Sequence, residues 1–295
     1  MAILSFDIGG TNTKWGVFHQ GVLISSGEFP SLAQYGGKHI LQEMIDIAPL
    51  LMVDEKWDGV AISATGTIDV KQGKVIQATD TIPNYCGLEM KAILEEAFHV
   101  PVTVENDVNC ALLAEVKAGV AQGCENVFAM TVGTGVGGGV YANGRIVHGA
   151  QGFAGEIGYL PSHGEILDLA GSTRGLISRI ARAKGDEVKN WDGHRVMTSY
   201  RHQDEIVRRE VHQMVENITD VMALATSFLN PEMIVLGGGI MTQKDILLPL
   251  CEASFRKKVP ARIGESTHIE ACHFNNQAGI YGAYYNFLEK EAIHK

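Results

Sequence analysis

Paired cysteines, long apolar runs and basic charge are all scarce in this 295-residue sequence, and each shortage argues against a class of protein. The five cysteines are scattered with no CxxC or CxC pair, which favours reduced thiols over a disulfide framework. No segment reaches the ~20 apolar residues of a membrane span, and the N-terminal MAILSFDIGG lacks a charged leader followed by an apolar stretch. The formal charge of -10 argues against nucleic acid as the main partner. We therefore expect a cytoplasmic protein without a membrane or nucleic acid partner.

Strand-like and helix-like segments alternate along the chain, which is typical of the α/β class. The clearest helical pattern covers residues 206–229, where apolar residues recur in steps of three and four until Asn230-Pro231 ends it. Residues 184–205 are polar and weakly periodic, and we expect a surface excursion there. Apolar runs of strand length are ILSF (3–6), VAIS (60–63), PVTV (101–104), VFAMTV (127–132) and MIVLG (233–237).

The sequence contains an internal repeat, whose two copies are offset by 123 residues. This shift places Gly10-Thr11 on Gly133-Thr134, and Gly21 on Gly144. Both copies then read as strand, Gly-Thr turn, strand, short turn and strand. Because a repeat of this kind is the signature of a duplicated unit, we predict two copies of an α/β domain with a cleft between them.

The glycine-rich run TVGTGVGGG at 131–139 formally contains GxGxxG. A dinucleotide site, as in a dehydrogenase, needs a helix directly after the glycines. Here the following GGVYANGRIVHG alternates and turns like a hairpin, and the Walker A pattern is absent. The run therefore favours a hairpin turn whose backbone N–H groups bind anionic oxygens, with a glycine-rich turn that binds nothing as the alternative.

The first copy of the repeat carries a carboxylate that the second copy lacks. Asp7 ends the first strand, at the position where the second copy has Met130. One carboxylate beside a phosphate-binding turn suits Mg²⁺, which prefers oxygen ligands and bridges to substrate phosphates. A third glycine cluster, VLGGGI at 235–240, ends another strand. Together the three turns predict a nucleoside triphosphate site, with the last one accepting the adenosine end.

A strand-to-helix junction at PVTVENDVNCALLAEVKAG (101–119) carries the catalytic candidate. Asp107 is placed to accept a proton from a substrate hydroxyl, as the catalytic aspartate of kinases does. Asn106 offers both a donor and an acceptor, which a polyol ligand requires. Either residue could instead be only the N-cap of the helix.

A second polar cluster lies in GFAGEIGYLPSHGEILD at 152–168. Glu156, Tyr159 and Asp168 have side chains that could hydrogen-bond sugar hydroxyls, and the ring of Tyr159 could also stack on a pyranose. An ordinary solvated loop is the alternative interpretation.

Taken in order, these motifs resemble the ROK family of sugar kinases and repressors, within the actin/hexokinase-like ATPase superfamily. The resemblance covers essentially the whole chain and implies two actin-like, ribonuclease H-like ATPase domains of duplicated βββαβαβα type around an ATP–sugar cleft, usually as a homodimer. It implies an N-terminal domain over 1–117, completed by a helix at about 278–295, and a larger domain over 118–277. The motifs are DIGGT at 7–11, SATG (63–66), PN (83–84), ENDVNCALLAE (105–115), GTGVGGG (133–139), AGEIGY (154–159) and LGGGI (236–240).

The resemblance also implies roles for individual residues. Asp107 would be the catalytic base. MgATP would be the phosphate donor, and Asp7 would be the carboxylate beside its magnesium ion. The implied acceptor contacts are Gly66, Asn84, Asn106, Asp107, Glu156, Tyr159 and, at the position of a sugar-binding Glu, Asp168. The implied ATP contacts are Asp7, Gly9, Gly10, Thr11, Lys14, Gly133, Thr134, Gly135, Gly237 and Gly238.

Two departures from the family pattern concern structural zinc. Tyr159 stands where most members have a histidine, and residues 160–170 contain no cysteine. Zinc needs three or four nitrogen or sulfur ligands, so we predict no zinc site.

Resemblance to the zinc-free members of the family narrows the choice of acceptor sugar. Among these members the chain looks most similar to bacterial β-glucoside kinases, which implies phosphorylation of the 6-hydroxyl of a cellobiose-like disaccharide. N-acetylmannosamine kinase and glucokinase are the alternatives. A sugar-sensing repressor of the same family is the alternative of another class, and we expect it to be excluded because DIGGT begins at residue 7, leaving no room for a DNA-binding segment.

Overall fold

The computed structural model describes residues 1–52 and 56–293; the last two residues of the helix expected at about 278–295 lie outside this range. All five apolar runs singled out in the sequence form strands. The strands are β1 (Ala2–Ile8), β2 (Asn12–His19), β3 (Val22–Pro30), β4 (Gly59–Ala64), β5 (Thr67–Asp69), β6 (Lys74–Gln77), β7 (Val102–Asn106), β8 (Val127–Val132), β9 (Val136–Ala142), β10 (Arg145–Ile146), β11 (Pro161–Ser162), β12 (Glu165–Ile166), β13 (Met233–Gly237) and β14 (His268–Ala271).

The α-helices alternate with these strands. Within the described ranges, no helix has both the length and the apolar composition to cross a lipid bilayer. The helices are α1 (Gly37–Ile47), α2 (Met90–Phe98), α3 (Asp107–Ala118), α4 (Leu167–Ala170), α5 (Thr173–Lys184), α6 (Gly193–Arg201), α7 (Glu205–Leu229), α8 (Lys244–Lys258), α9 (Ala261–Ser266) and α10 (Ala278–Ile293).

The chain forms two compact units with the same sheet topology. The first contains Met1–Lys117, His148–Phe153 and the chain from Gln277, and the second contains Ala118–Val147 and Ala154–Asn276. The strand order is β3-β2-β1-β4-β7 in the first unit and β10-β9-β8-β13-β14 in the second. In each, an antiparallel three-stranded meander continues into two parallel strands. The predicted α/β class and the duplication are therefore confirmed.

Both meanders close through two-residue hairpin turns. Gln20 and Gly21 join β2 to β3 with φ of 49° and 88°, and Asn143 and Gly144 join β9 to β10 with φ of 52° and 76°. Left-handed backbone at both positions matches the twist of the flanking strands, and glycine and asparagine adopt it at low cost. The hairpin predicted after the glycine-rich run is confirmed.

Side-chain alternation along β1 divides the core of the first unit into two layers. Leu4 and Phe6 pack with buried residues of α1 and α2, while Ile3 packs with α3 and α10. Phe18 of β2 stacks on Tyr284 of α10, with ring centroids 4.0 Å apart and planes 7° from parallel. Because Asp7 shares the face of Ile3, it lies under α10.

The core of the second unit is built around α7. Asp204 caps this helix by accepting a hydrogen bond from the Val207 N–H at 3.2 Å. Asn230 ends it in the left-handed conformation, with φ of 44°, just before Pro231. The buried face of α7, including Val211 and Ile218, packs against α5, α6, α8 and the sheet. The predicted 206–229 helix is confirmed.

Helices α3 and α10 approach each other at a glycine. A Cβ built on Gly282 would lie 1.8 Å from the carbonyl oxygen of Cys110. Main-chain atoms cannot move aside as a flexible side chain does, so the packing of α10 on the sheet requires glycine at this position.

We predict that Gly282→Ala destabilises the protein by about 1–3 kcal/mol, because the methyl group overpacks the contact between the two helices. Helix propensity alone would stabilise the variant by about 0.5–1 kcal/mol, so the sign of the change separates the two effects. Chemical denaturation measures it. Gly193→Ala at the start of α6 is the control, since its Cβ would meet nothing within 4 Å. Equal or greater stability of Gly282→Ala would contradict the interpretation.

Candidate active site

Three polar residues form a row at the carboxyl edge of the first sheet. Asp7 on β1 pairs in register with Ser63 on β4, and Ser63 pairs with Glu105 on β7. Because neighbouring strands are spaced about 4.8 Å apart, the Cα atoms of Asp7 and Glu105 lie about 10 Å apart across the sheet. The catalytic candidate Asp107 follows two residues after Glu105. The parallel strands therefore bring Asp7 and Asp107 to one edge of the same sheet.

Asp7 is held from three sides. Ser63 Oγ donates a hydrogen bond of 2.7 Å to its Oδ1, and Lys14 Nζ lies 3.5 Å from its Oδ2. A Cβ built on Gly279, in the first turn of α10, would lie 2.2 Å from the Asp7 Cγ. The structure thus joins Asp7 and Lys14, both predicted on the phosphate side, in one ion pair.

The turn between β1 and β2 is fixed by Ser31. Its hydroxyl donates to the Gly9 carbonyl at 2.6 Å, and its N–H donates to the Thr11 carbonyl at 2.8 Å. A Cβ on Gly9 would lie 2.8 Å from the Asn12 carbonyl oxygen, so this glycine serves the turn itself. Gly10 and Thr11 are exposed at its tip.

Asn106 and Asp107 together cap α3. Asn106 Oδ1 accepts from the N–H groups of Val108 at 2.9 Å and Asn109 at 3.1 Å, so Asn106 does cap the helix. Its Nδ2 donates to Asp107 Oδ1 and to the Gly66 carbonyl, both at 3.0 Å. Asp107 Oδ1 also accepts from Val108 N–H at 2.9 Å. These bonds fix the carboxylate, which is partly exposed, at the positive end of the helix dipole.

Gly66 and Asn84 both have left-handed backbone, with φ of 91° and 53°. A Cβ on Gly66 would lie 2.5 Å from the Gln77 carbonyl oxygen, which requires glycine there. The side chain of Asn84 is exposed. Next to it, Tyr85 is 1% exposed and its hydroxyl has no hydrogen-bond partner among the described residues. Burial, then the charges of Asp107 and Asp7, raise the pKa of Tyr85 well above its ordinary value.

In the second unit, several glycines of the 131–139 run make room for other parts of the protein. A Cβ on Gly135 would lie 2.9 Å from Asp168 Oδ1, and one on Gly138 would lie 2.8 Å from the Gly155 carbonyl oxygen. Asp168 Oδ1 accepts a hydrogen bond of 2.7 Å from the Val136 N–H. The predicted sugar contact Asp168 therefore holds the turn at the start of β9.

Glu156 and Tyr159 follow this close backbone contact. Gly155 has a φ of 91°, and its carbonyl accepts from the Gly138 N–H at 2.9 Å. Glu156 comes next, partly exposed, and leads into a 3-10 helix over Ile157–Tyr159. The Tyr159 side chain is 59% exposed. The loop is thus packed on β9 by its glycines, with the side chains of Glu156 and Tyr159 accessible from outside.

A cavity of 660 Å³ opens beside the same turn, entirely within the second unit. Gly133 and Thr134 line one side, and Gly239 and Ile240 after β13 line another. The cavity is also lined by Trp191, Asp192, Gly193 and His194. These residues belong to segment 184–205, which was expected to be a surface excursion and here forms part of the cavity wall.

A helix N-terminus faces this cavity, although no helix follows the glycine run. Thr173 and Arg174, the first residues of α5, line it, and the Thr173 N–H donates to the Gly133 carbonyl at 2.9 Å. A helix N-terminus with an arginine attracts anionic groups. Gly238 has a φ of 94°, and its Cβ would lie 2.2 Å from the Val132 carbonyl oxygen. Gly237 and Gly238 thus pack the ends of β13 and β8, and the residues after them line the cavity.

Sequence reasoning missed four residues at these sites. Ser63 lies in the quoted SATG motif and Glu105 in ENDVN, so alternation along β4 and β7 could have placed them beside Asp7. His148 and Arg174 carry no local signal. His148 Nε2 lies 2.8 Å from Glu105 Oε2, and Arg174 lines the cavity beside Gly133, so each reaches its site from a distant segment.

A family model described as the ROK family matches residues 3–290. An uncharacterized protein of Clostridium perfringens is 39% identical over 96% of this chain and 96% of its own length. A beta-glucoside kinase of Listeria innocua is 33% identical over 100% of both chains. The solved structure of a Listeria monocytogenes protein, proposed to be an N-acetylmannosamine kinase, has a TM-score of 0.87 at 30% identity, covering 99% of this chain and 100% of that one.

We predict that Asp168→Ala frees the turn at Gly133–Val136, because the Val136 N–H loses its acceptor. Asp168→Asn is the matched control, since its amide oxygen can still accept this hydrogen bond. Hydrogen–deuterium exchange of the Val136 amide is expected to be at least about tenfold faster in the alanine variant than in the asparagine variant. Equal protection in both would show that Asp168 does not hold the turn.

Proposed function

The chain belongs to the ROK family and is a carbohydrate kinase, and we propose that it transfers the γ-phosphoryl group of ATP to the 6-hydroxyl of a β-glucoside. The observation that carries the mechanism is the common sheet edge of the first unit. There Asp107 lies at the N-terminus of α3, and Asp7 with Lys14 lies at the end of β1. A base and an ion pair for the phosphate side, both on one sheet, are two of the parts that phosphoryl transfer needs.

In the proposed reaction, Asp107 accepts the proton of the acceptor hydroxyl. The oxygen of that hydroxyl forms a bond to the γ-phosphorus, and the bond from the γ-phosphorus to the β–γ bridging oxygen breaks, so that ADP leaves with the electron pair. The hydrogen bonds from Val108 N–H and Asn106 Nδ2 orient the Asp107 carboxylate. Because an alcohol is a weak nucleophile, this positioning contributes much of the effect.

The donor set around Asp7 fits a magnesium ion carried by ATP. Mg²⁺ is commonly bound by one or two carboxylates together with substrate phosphates and waters, and Asp7 offers one carboxylate. Bound there, the ion would neutralise phosphate charge. No group of three or more metal-ligating side chains occurs among the residues that the structure describes, which is consistent with an ion held largely by the nucleotide.

The cavity of the second unit supports the nucleotide assignment. Its polar wall at Gly133, Thr134 and Arg174 suits phosphate oxygens, and its other walls at Trp191 and Ile240 suit a flat, weakly polar base. We propose that Gly135, Gly237 and Gly238 act by shaping this cavity. Gly10, Thr11 and Lys14 are proposed as phosphate contacts.

The acceptor contacts are proposals of the same kind. Asn106, Gly66 and Asn84 are proposed on the side of the base, and Glu156 and Tyr159 as further contacts to sugar hydroxyls and a sugar face. Asp168 is proposed to contact the acceptor sugar, while its Oδ1 accepts the hydrogen bond from the Val136 N–H. Full-length similarity to a β-glucoside kinase favours a β-glucoside as the acceptor, and N-acetylmannosamine and glucose are the alternatives.

We predict that Asp107→Asn lowers kcat by about 10²–10⁴-fold, because the amide cannot accept the proton. The KM for ATP is expected to stay within about twofold, since the substitution removes no interaction with the nucleotide. A coupled assay of ADP release measures both constants.

Asp245→Asn is the matched control for this prediction. Asp245 is also a carboxylate in the first turn of a helix, and it pairs with Arg201 at 2.8 Å in the second unit. Removing its charge therefore reproduces the helix-dipole effect without touching the proposed chemistry. A folded Asp107→Asn variant with most of its turnover would rule out the proposed base.

We predict that cellobiose and gentiobiose exceed glucose and N-acetylmannosamine in kcat/KM by at least about tenfold, because contacts to a second sugar ring add discrimination. The same ADP-release assay measures the four acceptors, with Asp107→Asn as the blank for uncoupled ATP hydrolysis. Preference for glucose or for N-acetylmannosamine would replace the β-glucoside proposal with the corresponding kinase.

A further inference from the structure

Glu105 is a buried carboxylate two residues before the proposed base. Only 1% of this residue is exposed, at the end of β7, two residues before Asp107. A buried carboxylate is costly unless each oxygen receives hydrogen bonds. The mechanism proposed above gives Glu105 no role, so its partners require a separate explanation.

Both Glu105 oxygens have donors. Oε1 accepts from the Asn106 N–H at 3.0 Å and from Asn109 Nδ2 at 3.1 Å. Oε2 lies 2.8 Å from His148 Nε2. The Oε1 bonds connect Glu105 to the turn that carries Asp107, because Asn106 in turn donates to Asp107. His148 is the partner that comes from another part of the chain.

His148 begins a short segment, the strap (residues 148–153), which belongs to the first unit. The strap is fixed near its other end as well. Gly152 has a φ of 81°, and a Cβ there would lie 2.8 Å from the Ile68 carbonyl oxygen of β5. The strap therefore contacts the rest of the first unit near both of its ends.

The charges around Glu105 favour its ionised form. Burial by itself raises the pKa of Glu105, but hydrogen bonds from His148 and Asn109 and the charges of His148 and Lys290 outweigh burial and hold the pKa below its ordinary value. Lys290 faces it from α10, Asn109 and Cys110 from α3, and His148 from the strap. Loss of His148 would remove two of the causes that lower the pKa of Glu105, so this pKa would rise.

We propose that His148 is a positioning residue for the proposed phosphoryl transfer: through its hydrogen bond to Glu105 it holds the Asn106–Asp107 turn in place. The proposal rests on the kinase function above. When Glu105 is ionised, both oxygens accept hydrogen bonds and the turn is fixed. When it is protonated, Oε1 no longer belongs to a charged carboxylate, and its hydrogen bonds from Asn106 and Asn109 weaken. In this proposal His148 acts through Glu105, its hydrogen-bond partner.

The test compares His148→Ala, His148→Gln and the wild type in kcat–pH profiles with the best acceptor. We expect His148→Ala to lower kcat by about tenfold or more, because Glu105 Oε2 loses its donor in a buried site. The acid limb of its profile should move to higher pH, since Glu105 then protonates at higher pH. His148→Gln should restore kcat to within about threefold, because its amide nitrogen can replace Nε2 as donor. The KM for ATP should not change in either variant.

His39→Ala is the matched control. His39 has a side-chain exposure of 31%, against 32% for His148, but its carboxylate partner Glu43 is 42% exposed. This variant should keep the wild-type kcat and acid limb. Melting curves and far-UV circular dichroism establish that each variant folds. Wild-type kcat and an unmoved acid limb in folded His148→Ala, with only a lower Tm, would overturn the positioning role.

A second readout separates this inference from the proposed function. Long-range ¹H–¹⁵N spectra of the imidazole groups should show a shift of the His148 Nε2 signal in Glu105→Gln relative to the wild type. An unshifted His148 signal would refute the pair itself. A wild-type protein that phosphorylates no sugar would refute the kinase proposal, while the spectra would still test the pair.

Discussion

Parallel strand pairing is the constraint on which the site in the first unit depends. Strands β1, β4 and β7 end at one edge in register, so Asp7, Ser63 and Glu105 lie in one row and Asp107 follows beside it. Their crowding creates a second requirement, since the carboxylates there need compensating partners. Lys14 and Ser63 serve Asp7, and His148 and Asn109 serve Glu105. The polar network is thus a consequence of the topology.

Several glycines in this protein allow close approach of neighbouring groups. Gly138 and Gly155 bring a loop onto β9, Gly282 brings α10 onto α3, and Gly279 brings α10 onto Asp7. Among the glycines of the 131–139 run, only Gly133 lines the cavity, and Thr134 lines it beside Gly133. Gly135 and Gly138 of this run thus make room for neighbouring groups, while Thr173 and Arg174 of α5 line the cavity beside Gly133 and Thr134.

Much of the fold and part of the site were predictable from local pattern. The α/β class, the hairpins, the 206–229 helix and the repeated unit follow from periodicity and turn chemistry, which act between residues close in sequence. The junction at Asn106–Asp107 was identified by its position between a strand and a helix. The capping bonds of Asn106 were predicted as an alternative, and the structure shows them.

The sequence by itself determined the elements, their order and the family, because these depend on side-chain period and on ordered motifs. Only the tertiary structure decided that Asp168 holds Val136, 32 residues away, and that His148 holds Glu105, 43 residues away. It also decided that α5 and the 184–205 segment close the cavity beside Gly133. These contacts depend on strand register and on the close approach of distant backbones, and neither has a local signal in the chain.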